Sequence, residues 1–132
     1  MNTKLFIYGT LQRGCPFNYM MLAANSKFRY EHVIHGYRLR YSGTIPIIVP
    51  FLEFTGKVDD MVKGEVWDIS MTKEIMELER GYELAPLHED KNIMTFYPEF
   101  DLSATNFPIL PKINNYYDFR ATLEYTKTRY AQ

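Results

Sequence analysis

The chain opens with Leu5-Phe6-Ile7-Tyr8-Gly9-Thr10-Leu11-Gln12-Arg13-Gly14. An apolar run of β type breaks at Tyr8-Gly9-Thr10 and closes on a second glycine. Gly9 lets the main chain turn and lets a ligand come close to it. A strand feeding such a turn, with helix-like sequence soon after, presents several backbone N–H groups in one direction. That is a cradle for a carboxylate or another anion.

Working outward, 132 residues suffice for one domain with a core of its own. With 46% apolar residues, the chain is globular rather than disordered. Eleven tyrosines and nine phenylalanines favour strands, and they suit a pocket with both apolar and polar surface. A formal charge of −1, with no basic run, lacks a nucleic-acid footprint. Leu5 to Tyr8 is too short for a signal peptide, and no window approaches the roughly 18 apolar residues of a membrane span. Cys15 is the single cysteine, which excludes an internal disulfide and a cysteine-based zinc site. These features together fit a reducing, cytoplasmic setting.

Lys4 to Tyr8 reads as a buried first strand, and Phe17, Met20, Met21 and Ala24 place a short helix over about Pro16 to Ala24. Phe28 to Tyr41 is β-rich, with Gly36 marking a bulge or bend within it. Ser42-Gly43-Thr44 reads as a turn, and Ile45 to Pro50, interrupted by proline, as an edge strand or pocket wall. Val62 to Ile69 is a strand with Val62, Gly64 and Val66 on one face and Lys63, Glu65 and Trp67 on the other. Ser70 caps a helix over about Met71 to Arg80, which Gly81 ends. Asn92 to Tyr97 is a further strand, Pro98 to Pro111 a long loop, Ile113 to Phe119 a last strand, and the remainder a short helix.

The helix after Trp67 carries Glu74, Glu77 and Glu79. On a wheel of about 100° per residue, Met71, Leu78 and Tyr82 fall within roughly 60° of Ile75, forming the buried stripe. Glu79 lies about 40° from Ile75 on the other side, whereas Glu74 and Glu77 lie about 100° and 160° away. One carboxylate of the three is therefore aimed inward, where burial raises its pKa and makes it a candidate general acid/base. The competing reading is an edge residue that snorkels to water or pairs with Arg80 or Arg13. His32, His35 and His88 lack metal-ligand spacing, and His32 and His35 point to opposite faces of their strand. Cys15 has no placeable base.

Four segments, in order, resemble the gamma-glutamylcyclotransferase-like family, in its gamma-glutamylamine cyclotransferase branch. Tyr8-Gly9-Thr10-Leu11 is similar to the family's Tyr-Gly-Ser/Thr-Leu loop, and Gly36-Tyr37-Arg38-Leu39 to its Gly-Tyr-x-Leu strand. Val62-Lys63-Gly64-Glu65-Val66-Trp67 resembles its Val-x-Gly-Glu-Val-Tyr/Trp strand, and Leu78-Glu79-Arg80-Gly81-Tyr82 its Glu-Gly-Tyr helix end. The likeness spans roughly residues 4 to 97.

The resemblance implies an α+β fold: a small mixed β-barrel-like sheet with flanking short helices. It implies one domain over 1–132, with 98–132 a poorly matched loop and tail. It makes Tyr8, Gly9, Thr10 and Leu11 the substrate-binding loop and Glu79 the catalytic acid/base. The activity implied is release of 5-oxoproline and a free amine from a γ-glutamyl compound, with no cofactor and no metal. The expected partner is that small-molecule substrate, with no nucleic acid and no membrane. Two departures stand out: Arg80 intervenes between Glu79 and Gly81-Tyr82, and the region past Tyr97 matches poorly, with Tyr116 or Tyr117 available for the family's closing tyrosine. The alternatives are a catalytically inactive binding or regulatory module on the same fold, and an unrelated β-rich binding protein.

Overall fold

A computed structural model describes residues 3–9, 11–15, 18–23, 25–44, 47–70 and 82–109. The elements are β1 (Thr3–Ile7), α1 (Asn18–Ala23), β2 (Lys27–His35), β3 (Tyr37–Thr44), β4 (Ile47–Phe54), β5 (Met61–Ile69), β6 (Tyr82–Pro86) and β7 (Ile93–Pro98), then a 3-10 turn at Leu102–Ala104. The expected helix over 71–80, with Glu74, Glu77 and Glu79, lies outside the described residues, as do the expected strand over 113–119 and the tail.

Five strands form one mixed sheet in the order β2-β5-β1-β7-β6, and β3 and β4 pair as a separate antiparallel ribbon. β1 sits at the centre, antiparallel to β5 and parallel to β7. A central strand is covered on both faces, so it reads as a continuous apolar run rather than an alternation. The alternation decides instead which face each side chain serves. Phe6 and Tyr8 join one core cluster with Ile34, Val62, Val66 and Ile93. Leu5 and Ile7 join the other, with Met21, Trp67, Ile69 and Phe96. The fold is thus α+β, a mixed sheet with few short helices, although the sheet does not close into a barrel.

The β-rich stretch around Gly36 is two strands in different sheets. Gly36 adopts φ +83°, a left-handed conformation natural to glycine, and there the chain leaves β2 for β3. Its N–H donates to Asp60 O at 2.8 Å and its carbonyl accepts from Thr55 N at 2.7 Å, so the corner is tied on both sides. The ribbon then lays Tyr37, Leu39 and Leu52 onto the first cluster and Phe51 onto the second.

Two local expectations change. Ser42-Gly43-Thr44 is not a turn but the end of β3, paired with Val49, Ile48 and Ile47 of β4. Ladder pairing overrides the turn chemistry of Ser-Gly. Tyr82 belongs not to a helical stripe but to β6, opposite Pro98 of β7, where its ring stacks on Phe51 at 5.5 Å. An aromatic at a helix end fits either period; tertiary pairing selects the strand. Ile47–Phe54 is a strand as the apolar run suggested, and it tolerates Pro50 because only β3 pairs with it.

Candidate functional site

β1 ends at Ile7, and the next residues run straight into the glycine turn. Tyr8 is buried, and its hydroxyl donates to Phe96 O at 2.5 Å, tying the strand end to β7. At Gly9 a Cβ atom would stand 2.8 Å from Pro50 Cγ, closer than real side chains come. The need for glycine here is therefore close approach: the turn is pressed against β4. Pro50 is held in turn, because its carbonyl accepts the Tyr82 hydroxyl at 2.9 Å.

The turn is secured through its carbonyls. Gly9 O accepts both the backbone N–H and the side-chain amide of Gln12, each at 3.2 Å. Leu11 O accepts from Asn18 Nδ2 at 2.8 Å, which links the turn to the first residue of α1. Leu11 packs its side chain into the same core cluster as Met21 and Trp67. Short polar residues after a glycine turn serve here as ties, which is why the loop needs no long-range strand pairing of its own.

A second tie was not legible as such from the sequence. Glu65 of β5 is 6% exposed, although strand alternation put it on the face of Lys63. Its carboxylate accepts from Arg13 N at 3.0 Å, Arg13 Nε at 2.8 Å and Trp67 Nε1 at 3.1 Å. The guanidinium lies 3.5 Å from the centre of the Phe28 ring and reaches Glu31 at 3.5 Å. Three donors on one buried carboxylate satisfy what burial would otherwise penalise. The signal lay in Trp67: a strand face that carries tryptophan is a buried face, so the glutamate two residues before it is buried too.

Tyr8, Gly9 and Leu11 thus stand together in one tied turn. Thr10 and Glu79, the other two parts of the expected site, lie outside the described residues. Ser70, expected as a helix cap, donates its hydroxyl to Asn25 O at 3.4 Å. Cys15 is buried in the first core cluster. His32 packs edge-on against Phe6, His35 sets Nδ1 3.3 Å from Val58 O, and His88 stacks on Phe54. Each histidine has a structural neighbour, and they are not gathered at one point.

Comparison with known proteins places the chain more widely. Residues 5–101 match the model of the family described as gamma-glutamyl cyclotransferase, AIG2-like. No curated protein matches the sequence. Among solved structures, an AIG2-like protein from Mus musculus superposes with a TM-score of 0.65 at 20% identity, over 82% of this chain and 85% of that one. PH0828 from Pyrococcus horikoshii gives 0.67 at 21% identity, over 93% and 97%. The allophanate hydrolase of Kluyveromyces lactis gives 0.76 at 14% identity over 92% of this chain, which spans only 21% of that longer protein. At these identities the structural likeness is one of fold.

Proposed function

Since the chain belongs to the gamma-glutamyl cyclotransferase, AIG2-like family, we propose that it is a cyclotransferase acting on a γ-glutamyl amine or a related γ-glutamyl compound. In this reading the substrate's own α-amine attacks its γ-carbonyl, closes the five-membered lactam 5-oxoproline and releases the amine. Nucleophile, electrophile and leaving group all belong to one molecule, so the chemistry calls for no cofactor. The protein must fold the substrate into the ring-closing conformer and assist proton transfer from the α-nitrogen to the departing amine.

We assign that transfer to Glu79. The α-ammonium becomes nucleophilic only after losing a proton; Glu79 takes it and returns it to the departing amine, while a second proton leaves the α-nitrogen to solvent as the lactam closes. The amides of Gly9, Thr10 and Leu11 are assigned to the substrate carboxylate or to the oxyanion that develops on the γ-carbonyl. The observation that carries this reading is the turn itself. Its carbonyls at Gly9 and Leu11 are committed to Gln12 and Asn18, which fixes the backbone before any ligand arrives. The family match also runs unbroken across both the turn and Glu79.

The test is release of 5-oxoproline from a panel of γ-glutamyl amines. Glu79→Gln keeps size and hydrogen bonding but accepts no proton; it should fold, and it should lose turnover by at least roughly 10²-fold. Equal turnover by wild type and variant would overturn the assignment. A second reading, an inactive binding module on the same fold, rests on Arg80 standing between Glu79 and Gly81-Tyr82. Absence of turnover across the panel, with γ-glutamyl compounds still bound, would select it.

A further inference from the structure

A separate open cavity of about 460 Å³ lies between the far end of the β3–β4 ribbon and the segment that follows β7. None of Tyr8, Gly9 and Leu11 lines it. Its size is within the range of small-molecule sites. Two features of its walls call for an occupant.

The first is apolar. The rings of Phe54 and Phe100 both line the cavity, and each residue is 40% exposed. Both rings are braced by an aromatic neighbour that does not line the cavity: Phe54 stacks on His88 with centroids 3.8 Å apart, and Phe100 meets Phe51 edge-on at 5.2 Å. Two braced aromatic residues lining one hollow give its wall an apolar part that is more than scattered surface residues.

The second is charge. Arg38 pairs with Glu53 through Nε, and the other oxygen of Glu53 accepts from Arg40 Nε at 3.0 Å. Glu53 is therefore saturated by two arginines, and Arg40 turns away to Phe107 O. The ion pair aims the Arg38 guanidinium while leaving its terminal nitrogens without a partner among the described residues. Lys57, on the adjoining turn, likewise has no carboxylate within ion-pair distance among the described residues. Tyr97 accepts the Phe54 N–H at 2.9 Å, which leaves its own hydroxyl proton to give. Asp101, which also lines the cavity, is already engaged within the protein. Two cationic side chains and a hydroxyl donor thus line the cavity beside two aromatic rings, while its two carboxylates, Glu53 and Asp101, are engaged within the protein.

We propose that this cavity binds a small organic anion: a carboxylate carried on an aromatic or apolar body. The carboxylate would meet Arg38, Lys57 and the Tyr97 hydroxyl, and the body would lie between Phe54 and Phe100. Guanidinium and ammonium favour an oxyanion, and the two rings favour an apolar ligand over a free inorganic ion. The site stands apart from the glycine turn, so the proposal does not depend on the cyclotransferase reading.

The experiment is a titration of the intact ¹⁵N-labelled protein, followed by amide shifts, with 3-phenylpropionate, its alcohol 3-phenylpropan-1-ol and its amine 3-phenylpropan-1-amine. Acetate serves as the anion without a ring. The phenylpropionate should give saturable shifts at Phe54, Thr55, Lys57 and Phe100. The alcohol and acetate should each bind about tenfold more weakly or worse, the worth of one charge-assisted hydrogen bond or one buried ring. Lys57→Met should weaken phenylpropionate by about tenfold, and Arg38→Met by at least as much. Lys57 is exposed on a turn, so that variant stays informative even if Arg38→Met does not fold. Equal binding of acid, alcohol and amine would overturn the proposal. So would shifts that map elsewhere, undiminished binding by Lys57→Met, or no saturable shift up to the solubility of the ligand.

Discussion

Arg13 and Glu65, 52 residues apart in sequence, meet through two hydrogen bonds, one from the backbone N–H of Arg13 and one from its guanidinium. The backbone bond matters most. It ties the turn that follows β1 to the strand beside it, whatever the arginine side chain does. Trp67 Nε1 completes the set from the same strand.

Glu65→Gln should leave one carbonyl oxygen for three donors and bring an amide NH₂ against them. A loss of about 1–3 kcal/mol is expected in urea unfolding, the usual range for an unsatisfied buried donor. Arg13 is 46% exposed, so the pair is worth less than a fully buried one. Glu31→Gln removes only exposed ion pairs, to Arg13 at 3.5 Å and to Lys63 at 3.7 Å, and should change stability by under about 0.5 kcal/mol. Equal effects of the two variants would show that the carboxylate at 65 is not the tie.

Gly9→Ala tests the close approach of the turn to β4. The added methyl would stand 2.8 Å from Pro50 Cγ, and Pro50 is anchored by Tyr82. The strand or the turn must shift, at about 1–3 kcal/mol. The proposed activity should fall more than stability does, because the amides assigned to the substrate move with residue 9. A variant with wild-type KM and kcat would refute that placement.

Gly64→Ala is the harsher substitution. A Cβ at this position would lie 2.3 Å from Ile7 O and 2.7 Å from the Phe6 ring. The first neighbour is backbone of the central strand and cannot swing aside. The loss should reach or exceed about 3 kcal/mol, the upper end for overpacking, and show as a lowered unfolding midpoint. A nearly neutral result would mean that β1 and β5 are farther apart than their ladder implies.

Tyr37 supplies a pH dependence. Burial raises its phenol pKa above the usual 10.0; the His88 N–H donating to its oxygen works the other way, and the charges of Tyr97 and Glu89 add to the rise. The folded state thus holds the proton more tightly than the unfolded chain. This contribution is complete below the unfolded value and is lost as pH climbs from there through the raised folded value. Unfolding midpoints measured from about pH 8 to 11 should fall on the alkaline side, and Tyr37→Phe should flatten that fall. At neutral pH the same variant costs about 1 kcal/mol, because the His88 N–H loses its acceptor.

Much of the fold was legible because its central strands are local statements. Leu5 to Ile7 and Ile93 to Tyr97 are apolar, β-branched or aromatic runs, and Val62 to Ile69 sets Val62, Val66, Trp67 and Ile69 among polar residues in a strand pattern. Such runs are buried whatever their partners, and the motif order within them was enough to indicate the family. The turn at Gly9 was legible for the same reason: a glycine closing an apolar run is a local event.

What the sequence by itself determined, then, is the course of β1, β5 and β7, the break of the first strand into the Tyr8-Gly9 turn, and the order of the family's motifs. Only the tertiary structure decided which strands are neighbours, since pairing joins residues far apart and depends on the whole set of alternatives. It placed β7 parallel to β1, took Tyr82 into a strand, and sent β3 to a different sheet from β2. It also made Glu65 an interior residue, because the burial of a polar side chain depends on donors brought from elsewhere in the chain, here Arg13 and Trp67.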